Sequence, residues 1–218
     1  MRKTIVFLLC VFPLNTFAGI STIVIAYGAG DVPVSCSMDI NAEYVAMSVS
    51  LSSDAKYPSE RAKLISKLQS VISSSASSDP NIEFQQGIIS LSPQEKSSFS
   101  ISSSYSRNSG SSFYLLSKLS NEKGVYAATQ DIYSFIERIQ KPADTSLSLG
   151  NTSLAVRTPE QYRNQLLEKV KDEIILTKKI LGSGYKVSIS GLENPVVVRQ
   201  KDDKQVTVFI DYRIELSE

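Results

Sequence analysis

The sequence predicts an α+β fold: a largely antiparallel sheet with about three amphipathic helices packed on one face. Two observations carry this. Several stretches alternate apolar and polar residues at period two, the pattern of strands with one buried face. Three other stretches space their apolar residues at 3–4 positions, the pattern of helices with one buried stripe. The two kinds follow each other as strand, helix, strands, helix, strand, helix, strands. Long alternation favours antiparallel pairing with helices gathered on one side.

The opening strand spans Tyr44 to Ser52, where Val45, Met47, Val49 and Leu51 alternate with Ala46, Ser48 and Ser50. Pro58 then stands where a helix begins, because its missing N–H costs nothing in a first turn. Leu64, Ile65, Leu68, Val71 and Ile72 give that helix its stripe, and Ser73 to Asp79 with Pro80 is expected to end it. Ile82, Phe84, Ile88, Ile89 and Leu91 predict a strand with an irregularity at Gly87. Ser92 to Ser112 is mostly serine, with Phe99, Ile101 and Tyr105 spaced through it. It is expected to be a polar hairpin or solvated edge, with recognition as the functional alternative. Phe99, Ile101, Tyr105, Arg107, Phe113 and Tyr114 form the candidate interaction segment.

Phe113 to Leu119 resumes as strand. Val125, Ala128, Thr129, Ile132, Phe135, Ile136 and Ile139 make the second helical stripe, with Tyr126 and Tyr133 to one side and Pro142 beyond it. Leu147, Leu149, Leu154 and Val156 bracket Gly150-Asn151, a turn or a bulge. The third helix has a start signal in Thr158, Pro159 and Gln161: a cap, a first-turn proline and a capping-box partner. Tyr162, Leu166, Leu167, Val170, Ile174, Thr177 and Leu181 are its expected inner face, and Gly182 and Gly184 close it. Tyr185, Val187 and Ile189 predict the next strand. Val196 to Arg199 is expected to pair with one long strand from Val206 to Leu216 across the turn at Lys201 to Lys204.

Hydrophobic residues make up 42% of the 218, enough for one domain with a real core. The first residues have the form of a secretory signal: basic Arg2 and Lys3, an apolar run from Thr4 to Phe12, and small residues at Thr16 and Ala18. Cleavage is expected after Ala18, with Val24-Ile25-Ala26 as a second site. An uncleaved anchor is disfavoured by Pro13, Asn15 and Thr16 in mid-stretch. Residues 19–41 are expected to be a flexible lead-in and 42–218 the folded domain. The full chain carries +1; removing Arg2 and Lys3 leaves 21 bases against 22 acids, about −1. A near-neutral surface exerts no general pull on nucleic acid. Cys10 leaves with the signal, so Cys36 has no partner for an internal bridge and is expected to be a small buried residue, with an intermolecular disulfide as the alternative.

Histidine is absent from the sequence, which removes Ser-His-Asp triads and histidine metal sites. Ser53-Asp54-Ala55-Lys56 and Ser120-Asn121-Glu122-Lys123 match a serine–lysine spacing, but in a serine-rich chain such matches arise by chance. Asp202-Asp203 has the look of turn acids, and Asp211, Arg213 and Glu215 of a solvated strand face. No catalytic residue, cofactor or metal is expected.

Three segments resemble the SIMPL domain, a family of mostly bacterial envelope proteins. They are the strand AEYVAMSVSLSSDAK with its following helix, VYAATQDIYSFIERIQKPADTSLSLGNTSLAV, and PEQYRNQLLEKVKDEIILTKKILGSGYKVSISGLENP. The likeness lies in element order and hydrophobic pattern and covers most of residues 42–216. It implies a non-enzymatic periplasmic protein, with the chain itself or another envelope protein as partner. Peripheral outer-membrane association is compatible with it, and no transmembrane helix is expected in the mature form. Some family members assemble into rings or channel-like oligomers. The alternative reading is a periplasmic module binding a small ligand, glycan or peptide.

Overall fold

The computed structural model describes residues 23–26, 36–90, 109–182, 184 and 186–217. Its strands are β1 (Ile23–Ile25), β2 (Ser37–Asn41), β3 (Tyr44–Ser53), β4 (Ile82–Ser90), β5 (Gly110–Lys118), β6 (Thr145–Arg157), β7 (Lys186–Ser190), β8 (Val196–Gln200), β9 (Gln205–Ile210) and β10 (Arg213–Ser217). The helices are α1 (Pro58–Ser78), α2 (Val125–Glu137) and α3 (Arg163–Leu181). The chain is α+β. A five-stranded antiparallel sheet runs β1-β6-β3-β5-β4, a three-stranded one β2-β9-β8, and a two-stranded one β10-β7.

Alternation in β3 sorts its side chains between two clusters. Val45, Met47, Val49 and Leu51 face the main core with Leu68 and Ile72 of α1 and Ala128, Ile132, Phe135 and Ile136 of α2. Tyr44 and Ala46 face the other way, with Ile25, Leu116 and Ala155. Both helices thus cover one face of the large sheet, as the periodicities predict. Helix α3 enters the same core through Leu166, against β2 and β9.

The large sheet curls over its helix-free face. Flat strands about 4.8 Å apart would hold β1 and β4 roughly 19 Å from each other. Yet Gln85 Nε2 of β4 donates to the Ile23 carbonyl of β1 at 3.1 Å. Arg157 of β6 likewise spans the sheet, donating to the Tyr44 hydroxyl at 2.6 Å and to Glu83 Oε2 at 2.5 Å. Burial pushes the Tyr44 phenol up, so it stays neutral beneath the guanidinium. Small side chains at Ala46 and Ala155 leave room for the curl. Two bulges bend the strands. Gly150 and Asn151 together oppose Ser48, which decides for a bulge over a turn. Gly87 and Ile88 together oppose Ser112, the irregularity expected at Gly87.

Four expectations are corrected. Order does not begin at Ala42: β1 pairs with β6, and β2 pairs with β9 along Ser37–Asn41. Hydrophobic Ile23, Val24 and Ile25 complete an edge, and Asp39 ties β2 down by accepting from Lys201 Nζ at 2.5 Å and Thr207 Oγ1 at 2.7 Å. Helix α1 runs on through Ser73–Ser78, because Ala76 is buried and the Ser77 and Ser78 hydroxyls bond back to the carbonyls of Ser73 and Ser74. Thr158 does not cap α3 with its side chain. Its φ of 49° puts it in the left-handed region, and Pro159–Tyr162 form a 3₁₀ turn before α3. Finally, the long last strand is two strands. It breaks at Asp211–Tyr212, so β9 joins β2 and β8 while β10 joins β7 alone.

The break has a physical cause in the facing chain. Gly191, at φ 88°, turns between β7 and β8, where an added Cβ would lie 2.8 Å from the Asp211 carbonyl oxygen. Asn194 Nδ2 donates to that same carbonyl at 2.7 Å. Arg163 grips the turn from α3, donating to the carbonyls of Leu192 (2.8 Å) and Asn194 (2.7 Å) and to Glu160 (2.6 Å).

Candidate interaction surface

Phe99, Ile101, Tyr105 and Arg107 lie outside the described residues, as does most of the serine-rich stretch. Of the same candidate segment, Phe113 is a core residue. It is fully buried with its ring 4.9 Å from that of Phe84, so it is not presented to a partner. Tyr114 is half-buried against the small cluster on the curled face.

The structure draws attention to α3 instead. Its first two turns dock: Leu166 and Val170 are buried, and Leu167 packs on the core. Its last two turns do not. Ile175, Leu176, Ile180 and Leu181 are exposed, Ile180 by 73%. The two-stranded sheet β7–β10 continues from this end. Val187 and Ile189 share one half-buried face with Ile214, while Lys186, Ser188, Arg213 and Glu215 are exposed on the other. The second half of α3 forms an arm whose apolar groups exceed what its contacts cover. Tyr126 of α2 is 91% exposed and Tyr133 40%.

Sequence reasoning missed Ile175, Leu176 and Ile180. The signal was present: α3 carries apolar residues on two opposite faces, where a helix lying on a core needs one.

The other candidates are placed as follows. Ser53 is buried and its Oγ accepts the Ala55 N–H, while Lys56 Nζ lies over the Tyr57 ring at 5.3 Å. Ser120 Oγ accepts the Lys123 N–H, but Lys123 Nζ goes to Ser117 and Asp131 rather than to Ser120. Asp202 Oδ1 accepts the N–H groups of Lys204 and Gln205, the backbone role expected of a turn acid. Cys36 is buried. Among the described residues there is no cluster of three acids or cysteines able to hold a metal ion. No helix among them is long and apolar enough to cross a membrane.

Two grooves bear on the ligand-binding alternative. One of about 560 Å³ runs between α1 and β4, lined in part by Gln69, Phe84, Gln86 and Ile89. Its amides already satisfy one another: Gln69 donates to Gln86 at 2.6 Å and accepts from Ser111 at 2.7 Å. A second, of about 440 Å³, lies among Glu43, Lys118, Leu119, Lys123, Asp203 and Lys204, where charges of both signs are interspersed.

The chain matches no protein-family model, no curated protein sequence and no solved structure.

Proposed function

We propose that this is an exported, non-catalytic protein of a bacterial-type envelope that works by holding another protein chain through its α3 arm. The observation that carries the reading is the arm's uncovered apolar surface. Ile175, Leu176 and Ile180 are each more than half exposed on one short stretch of helix. Fully burying a side chain of this size is worth about 1.5–3 kcal/mol. A chain that leaves three of them in water together has a surface available for docking. The signal-like first 18 residues and the likeness in element order to the SIMPL domain support the envelope setting. The absence of histidine and the dispersal of the serine–lysine pairs support a binding rather than a catalytic role.

Photo-crosslinking in the native cell tests it. A photoreactive residue at Ile180 is expected to give higher-mass adducts, while one at Glu137, exposed on α2, gives none. A position 180 that yields no adduct in intact envelopes would refute the reading. Binding of a small ligand ranks second, because the two amides of the α1–β4 groove, Gln69 and Gln86, are already paired with each other.

A further inference from the structure

We infer that the partner of the arm is a second copy of this chain, paired α3 against α3 in antiparallel orientation about a two-fold axis between Ile175 and Leu176. This rests on the arm being a docking surface and goes on to name its occupant.

The argument begins with helix geometry. Successive residues turn about 100° around the axis. Leu166 and Val170 mark the side that faces the core. Asp172, Ile175, Leu176 and Lys179 stand at i, i+3, i+4 and i+7, so they share one face, and that face lies directly opposite. All four are exposed. The centre is apolar, with Ile175 57% and Leu176 52% exposed, and a carboxylate and an ammonium flank it at equal distances.

Such a face is complementary to itself when reversed. In the antiparallel pair Ile175 meets the partner's Leu176, Asp172 meets the partner's Lys179, and both contacts repeat by symmetry. A parallel pair would set like charge on like charge. Within one helix Asp172 and Lys179 stand about 10 Å apart along the axis, too far to satisfy each other. Of the neighbouring charges, Glu168, one turn before Asp172, pairs with Lys171 at 3.1 Å, and Lys171 also feels the Asp172 carboxylate. Self-pairing also accounts for the second apolar face of α3, which the core does not use.

Two helical turns bury less than the area of a standard interface, so the association belongs to the weak class. Sedimentation velocity on the mature chain from roughly 10 to 500 µM covers that class. The wild type is expected to shift from monomer to dimer within this range. Asp172→Lys and Lys179→Asp alone are each expected to weaken the dimer at least about tenfold through like-charge contacts. The double variant, with the two charges exchanged, is expected to restore it. An equimolar mixture of the two single variants is expected to form the heterodimer. Both substituted positions are on the surface, so circular dichroism spectra should be unchanged.

A wild type that is monomeric throughout the range, or a dimer indifferent to both single variants, would overturn the inference. The crosslinking experiment separates the two levels. With the photoreactive residue moved to position 176, on the proposed face, adducts containing only a different protein leave the docking role standing and remove the self-pairing.

Discussion

The bulge between β4 and β5 gives a sharp test of the fold. Gly87 sits where two residues oppose Ser112 alone. A Cβ built there would overlap the Ser112 carbonyl oxygen, lie 2.9 Å from its carbon and 3.1 Å from Phe113 Cα. These are backbone atoms inside a ladder, so no rotamer change relieves the overlap. Gly87→Ala must therefore push the strands apart beside Phe113, which is fully buried. Overpacking of this kind costs about 1–3 kcal/mol. One ladder hydrogen bond lost with it adds about 1 kcal/mol. The expected total is about 2–4 kcal/mol, which at roughly 2–4 °C per kcal/mol lowers Tm by about 4–16 °C. Thermal unfolding followed by circular dichroism reads this directly. Gly184→Ala serves as control, since nothing lies within 4 Å of its added Cβ. Equal melting temperatures for Gly87→Ala and wild type would refute the bulge and the register built on it.

Three further outcomes follow from particular contacts. Arg163→Ala removes donors to Leu192, Asn194 and Glu160 and is expected to cost about 1–3 kcal/mol, with faster amide hydrogen exchange across residues 191–196; unchanged exchange there would contradict the clamp. The hydrogen bond from Lys201 holds the Asp39 carboxyl below its usual 3.8, and that from Arg163 holds Glu160 below its usual 4.5. Both contributions are complete above those values and are lost as pH falls through the lower folded ones. Urea midpoints should therefore be level near neutrality and drop below about pH 4.5. Both side chains are half-exposed, so each contributes only a few tenths of a kcal/mol on the usual surface scale, and Asp39→Asn should flatten its share of the acid limb. On the proposed export, intact mass of the secreted chain is expected to show Gly19 as the first residue, because cleavage after Ala26 would strip β1 from β6; a mature chain starting at Tyr27 would contradict a structural role for β1.

How much was legible depended on whether a signal was local. The stripe of α2, that of α1 except for Val71, which is exposed, and the strand at Tyr44–Ser52 could be written down from spacing, because a buried face repeats at the period of its own element. The short strand β1 could not. Three residues carry no periodicity, and Ile23–Ile25 is a strand only because Ala155–Arg157 offers it a ladder. The Thr158 signal misled because capping motifs describe a helix start in isolation, whereas the chain leaving β6 must turn toward β8. That turn takes a left-handed residue and a 3₁₀ turn, and the Gln161 amide donates to the Arg157 carbonyl at 3.4 Å instead of completing a capping box. The break at Asp211–Tyr212 left no mark on its own strand, whose alternation continues through it. Its mark was in the facing turn, at Gly191 and Asn194.

The sequence by itself determined the class of the fold, the polarity of each face and the scarcity of reactive side chains, since all three depend on residue type and near-neighbour spacing. Only the tertiary structure decided which apolar residues would be covered. It curled the large sheet until Gln85 met Ile23, split the last strand between two sheets, and ended the buried side of α3 at Val170, leaving Ile175 and Leu176 outside. Burial is a property of what arrives from elsewhere in the chain, and periodicity along one helix carries no information about where its neighbour stops.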